Sequence, residues 1–253
     1  IGNGYHRQGQ FATWNDPAKF GVFYHAALIL RRGDVKPSAG SVAIKVDDLR
    51  LRNPASMDLL PEHTRVGSEY DGVPATTARK HLGYNDPPLL DASKKEVASD
   101  TGELYRNWDR EFGRVDTPRS QVLYGFLGRN RPLKTTDLTV DARSDFAVVA
   151  LSSLTDEAIT ATDNLLLSAI GRARNTGERR EHDQVVDIGA CPILAEVIEA
   201  EVSIRTDRPN LKIWSISAEG FYVGQVPATY ADGVLTFRIG ADYPSIYYLI
   251  RTE

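Results

Sequence analysis

Between Asp100 and Asp109 the chain reads Asp-Thr-Gly-Glu-Leu-Tyr-Arg-Asn-Trp-Asp, gathering two aromatic rings and several hydrogen-bonding side chains in one short stretch. Strand alternation there places Glu103, Tyr105 and Asn107 on one face. An aromatic face gives a sugar ring an apolar platform while carboxylates accept its hydroxyls. Glu103, Tyr105, Trp108 and Asp109 are therefore the candidate carbohydrate-binding residues. A strand edge with a packed Trp is the plain structural alternative.

Hydrolysis of a glycoside would ask more of these carboxylates, because the acid and its partner must face each other across a gap of roughly 5 to 9 Å. Glu103 and Asp109 are candidates for such a pair. Glu69, in Ser68-Glu69-Tyr70, is a third, but no Asn-Glu pair occurs in the chain to supply the usual acid/base partner. No complete catalytic set is visible. The histidines His6, His25, His63, His81 and His182 lack paired ligand spacing, and the lone Cys191 allows neither an intrachain disulfide nor a Cys-based zinc site. No metal and no cofactor is expected. Gly-x-Ser-x-Gly, Walker and Gly-x-Gly-x-x-Gly patterns are also missing, so nothing supports Ser-hydrolase or nucleotide chemistry.

The elements that must hold these residues belong to an ordinary globular chain of 253 residues, 42% hydrophobic and 25% charged. Thirty Lys and Arg against 34 Asp and Glu leave a formal charge of −4 with no basic stripe, which argues against a nucleic-acid partner. No apolar run approaches the roughly 18 residues of a membrane helix, and Ile1-Gly2-Asn3-Gly4 has no signal-peptide character.

Asp16 as cap, Pro17 in the first turn, and Phe20, Phe23, Tyr24, Ala27 and Leu28 at helical spacing predict one helix ending at Gly33. Its apolar face, with Phe11 and Trp14, expects a partner. His25 on this helix is expected to be partly covered and hydrogen-bonded. Five prolines between Asn53 and Asp100 break the pattern into an irregular excursion. Beyond residue 100 the period becomes two, as in Ile198, Ala200, Val202 and Ile204, or Leu235, Phe237 and Ile239. Phe146 to Leu151 suits a central strand, and Trp214 with Ile216 suits a sandwich core. Ile159, Leu166, Ala169, Ile170 and Ala173 fit a helical face, though Leu165 to Arg174 also permits a strand.

Trp14-Asn-Asp-Pro-Ala-Lys-Phe-Gly-Val-Phe-Tyr-His-Ala-Ala-Leu-Ile-Leu-Arg-Arg-Gly-Asp-Val35 resembles the last barrel helix and exit of large bacterial glycoside hydrolases of the TIM-barrel clan. Ser99-Asp-Thr-Gly-Glu103-Leu, Val115-Asp-Thr-Pro-Arg119-Ser-Gln-Val, Leu165 to Gly177 and Asp232 to Gly240 extend the likeness over nearly the whole chain. In that family a β-sandwich follows the barrel, and the catalytic carboxylates lie on earlier barrel strands. The resemblance implies that Leu165 to Arg174 is a strand.

The expected fold is thus mainly β: an antiparallel β-sandwich, jelly-roll or Ig-like, with one N-terminal helix and a long irregular insertion at about 53–100. Residues 1–36 would be a helical lead-in and 37–253 the sandwich. The resemblance implies a non-catalytic accessory domain that binds a polysaccharide or oligosaccharide, or supports a catalytic barrel. The other readings are a truncated or rebuilt hydrolase using Glu69, Glu103 or Asp109, and a structural domain that self-associates.

Overall fold

The computed structural model describes residues 16–46, 59–70, 78, 80–83, 86–182, 184–217 and 219–252. Phe11 and Trp14 lie outside the described residues. The fold is mainly β with antiparallel sheets. Contacts divide the chain into two units, 35–115 and the combination of 1–34 with 116–253. The described residues 16–34 therefore group with those from 116 onward.

In the helical segment, the Asp16 side chain accepts from the Ala18 amide at 3.1 Å and Pro17 opens α1 (Pro17–Phe20). The helix is interrupted at Gly21, where a Cβ would lie 2.4 Å from the Ile170 side chain. It resumes as α2 (Phe23–Arg32) and ends at Gly33, whose φ of 60° supplies the left-handed cap.

The smaller unit begins with three parallel strands, β1 (Ser41–Val46), β2 (Arg65–Tyr70) and β3 (Lys80–Leu82), with β1 in the middle. A short turn of helix, α3 (Leu60–His63), precedes β2. Val42, Leu60 and Leu82 form its small core. Regular elements thus occupy part of the stretch in which the prolines predict irregular chain. An antiparallel meander follows: β4 (Glu96–Ala98), β5 (Leu104–Asn107) and β6 (Phe112–Asp116).

The larger unit continues with β7 (Ser120–Gly125), β8 (Leu133–Lys134), β9 (Leu138–Ala142), β10 (Ala147–Ser153) and β11 (Asn164–Ile170). Two hairpin layers come next, β12 (Ala173–Thr176) with β15 (Ala190–Ala195), and β13 (Arg179–Glu181) with β14 (Gln184–Asp187). The chain closes with β16 (Ala200–Arg205), β17 (Lys212–Ile216), β18 (Tyr222–Val226), β19 (Ala228–Ala231), β20 (Val234–Ile239) and β21 (Tyr247–Arg251).

One antiparallel sheet of this unit runs β18-β17-β21-β11-β10-β7 and the other runs β19-β20-β16-β9-β8. Alternation separates their faces cleanly. Leu123, Val149, Leu151, Leu165, Leu167, Ile213 and Ile250 are buried on the first sheet, and Val140, Val202, Ile204, Leu235 and Phe237 on the second. The segment from Leu165 to Arg174, whose apolar spacing also fits a helix, is extended but not one strand: β11 ends at Ile170 and β12 begins at Ala173. Its residues are apolar on both faces because one faces the core and the other lies beside the helix-bearing surface, so the period-two signal is lost. Trp214 and Ile216 do share a face, but it is the outer one, in register with Leu249 and Tyr247.

Candidate functional site

The candidate sugar-binding residues lie on the meander of the smaller unit, where register decides what they meet. Tyr105 and Asn107 face the same way, opposite Ala98 and Glu96 of β4 and Arg114 and Phe112 of β6. The Tyr105 hydroxyl donates to Glu96 at 2.6 Å, which with burial raises its pKa, burial being the larger cause. Its ring lies 5.8 Å from that of Phe112 and beneath the Arg114 guanidinium, 5.0 Å away. Arg106 points to the opposite face, paired across β4 with Val97. Its guanidinium covers the Trp108 ring at 5.2 Å while gripping both carboxylate oxygens of Glu62. Tyr105 and Trp108 are therefore engaged with separate sets of partners.

The carboxylates have partners as well. Glu103, only 8% exposed, accepts the Lys36 amide at 2.8 Å and sits 3.7 Å from the Lys36 ammonium. Asp109 pairs with Lys95 in the open turn after β5. Glu69, on β2, accepts from or pairs with His81 Nδ1 at 2.6 Å. These are fixed or neutralised groups. Asp100, just before Glu103, accepts from the Ser38 hydroxyl and the Gly40 amide, both at 2.7 Å, and from Thr64 at 3.0 Å. Those donors, Ser38 first, lower its pKa to about 2.

In the larger unit a chain of buried polar groups fastens α2 to the outer face of its sheet. The His25 ring bonds Ser152 through Nδ1 at 2.9 Å and Ser168 through Nε2 at 2.8 Å. Ser152 is 2.9 Å from Ser120, which donates to Asp34 at 2.9 Å. Arg32 reaches Asp34 at 2.6 Å and the Ser153 carbonyl at 2.7 Å, and Arg119 reaches Asp34 at 2.9 Å. Burial, helped by the nearby Arg32 charge, lowers the His25 pKa to about 4. The imidazole is therefore neutral at pH 7, one nitrogen donating and the other accepting.

Ser, His and Asp here resemble a hydrolytic triad in composition alone. Asp34 contacts Ser120 rather than the imidazole, and Ser152 and Ser168 are wholly buried, so no nucleophile meets solvent. The arrangement positions a helix. Sequence reasoning anticipated a hydrogen-bonded His25 but none of its partners, which lie 127 and 143 residues away. Lone serines in apolar strands were the available signal.

A second feature escaped the sequence altogether. The outer face of the five-stranded sheet carries a groove of about 910 Å³. Asp141, Glu201 and Arg238 line it side by side across three strands, with Arg238 Nε 3.1 Å from Glu201. Thr229 and Thr236 form the neighbouring row, and Tyr243 is also part of the lining. Among the described residues, no group of His, Cys, Asp and Glu is arranged to hold a metal ion, and no helix is long and apolar enough to cross a membrane. No family model, curated protein or solved structure matches the chain.

Proposed function

We propose that this chain is a non-catalytic accessory region of a glycoside hydrolase, a β-sandwich that supports a catalytic barrel through its helix-bearing face. The observation that carries this reading is the two-sidedness of α2. One side is pinned to the sheet through His25 and Arg32, while Phe23, Tyr24 and Leu30 on the other are 50%, 53% and 83% exposed. An amphipathic helix gains its stability by burying its apolar side. The side against the sheet joins buried His25 and half-buried Arg32 to half-buried Leu28 and Ile29, while the bare side keeps its large apolar groups in the open, as a surface made to be covered does.

The strands beneath continue that surface. Tyr247, Leu249 and Trp214 share the outer face with Ser168 and Leu166, and the Trp214 ring packs edge-on to Tyr222 at 5.4 Å. Tyr222 is 55% exposed. The resemblance of the segment from Trp14 to Val35 to a last barrel helix and its exit supports a barrel as the covering partner. The engaged state of Glu69, Glu103 and Asp109 supports an absence of turnover.

The purified chain, assayed on a panel of plant and microbial polysaccharides, should release no reducing ends. Release that disappears in Glu103→Gln, Asp109→Asn or Glu69→Gln would replace this reading with a self-sufficient hydrolase.

A further inference from the structure

We infer that the groove on the outer face of the β19-β20-β16-β9-β8 sheet binds a neutral oligosaccharide chain. This deepens the accessory reading by giving the sandwich a ligand of its own. The floor of the groove is a strand face whose side chains end in hydroxyl, carboxylate and guanidinium groups: Thr229, Thr236, Asp141, Glu201 and Arg238. Such a row suits a ligand that presents donors and acceptors at every residue along an extended chain. Carboxylates accept from vicinal hydroxyls, and arginine donates to ring and hydroxyl oxygens.

Two observations narrow the ligand. The lining carries Asp141, Glu199, Glu201 and Asp242 against Arg143 and Arg238, so an acidic glycan would meet net repulsion. Tyr243 brings an aromatic ring to the lining. A ring beside a polar floor gives the C–H face of one sugar its platform. Because each hydroxyl is traded from water for little net gain, the dissociation constant should be on the order of 0.1 to 1 mM.

The test is an amide-detected NMR titration of the whole chain with hexasaccharides of β-1,4-linked glucose, xylose and mannose, with hexagalacturonate as the acidic probe. At least one neutral probe should shift the amides of Thr236, Arg238 and Glu201. Arg238→Ala and Glu201→Gln should each weaken it at least fivefold without lowering the thermal midpoint, since both side chains are exposed and surface pairs contribute little. Trp108→Ala should leave it unchanged. No binding by any neutral probe, preference for hexagalacturonate, or affinity indifferent to Arg238→Ala and Glu201→Gln would overturn the groove. Binding lost only in Trp108→Ala would assign the sugar to the turn after β5 instead. None of these outcomes bears on turnover, so the accessory reading stands or falls separately.

Discussion

His25 is a titratable group placed where titration is costly. Its folded pKa of about 4 lies below the ordinary value of 6.5, so the unfolded chain takes up the proton first as pH falls. Stability from this site is complete above about pH 6.5 and declines to about pH 4, by roughly 3 kcal/mol. Urea unfolding between pH 7 and 4 should show that loss, and His25→Ala should remove most of its pH dependence while costing roughly 3 kcal/mol at pH 7, because two buried serines lose their partner. A wild-type midpoint flat across this range would contradict the buried neutral imidazole. Asp100 behaves oppositely. Its pKa is depressed to about 2, so the contribution of its three donors is present above the usual carboxylate range and is lost only as pH falls from about 4 toward 2. Carboxyl-carbon NMR should give Asp100 a midpoint near 2, and a midpoint near 4 would show that the Ser38, Gly40 and Thr64 contacts do not persist in solution.

At the scale of elements, α2 can be altered on one side only. Replacing Tyr24 and Leu30 together by Asp changes exposed positions and should shift stability by about 0.5 kcal/mol or less, whereas Arg32→Ala should cost several times more because Asp34 loses one of its partners and the Ser153 and Thr155 carbonyls lose the guanidinium. Analytical ultracentrifugation should show concentration-dependent association of the parent chain diminish in the double Asp variant; unchanged association would place the contact elsewhere. Gly128 is a second sensitive point, because a Cβ there would lie 2.5 Å from the Ser144 carbonyl oxygen. Gly128→Ala should destabilise by about 1 to 3 kcal/mol by overpacking, measurable as a lower thermal midpoint. How much of this was legible followed from the range of the interactions. The cap at Asp16, the stop at Gly33 and the alternating strands of the second sheet are local patterns and were read correctly. The spacing of β11 fits a helix as well as a strand, because apolar residues stand on both its faces. Trp214 was assigned to the core because parity tells which residues share a face but not which face is inside. The parallel strands within 53–100 were hidden by prolines in their connections. The groove and the His25 network join residues distant in sequence, and no local spacing encodes them.

For the molecule as a whole, the chain leaves the larger unit after Asp34 and returns at Asp116. Yet Asp34 and Ser120 touch, so the two ends of this insertion emerge close together. Replacing residues 35–115 by a linker of about six residues should therefore yield a unit that folds cooperatively, and shortening the loop from roughly eighty residues lowers its closure cost by about 2 kcal/mol. Calorimetry of that variant should show a single transition with His25 still neutral at pH 6; a molten chain would show that the insertion is needed for folding. The distance along the chain between His25 and Ser168 also has a meaning in time. At roughly 5 to 20 residues per second, the ribosome needs roughly 7 to 30 seconds to make Ser168 after His25 has left it. For that interval α2 exists without the serines that satisfy its histidine. It is thus an element that nascent-chain chaperones have long to hold, and slowed translation before residue 168 should lengthen that dependence.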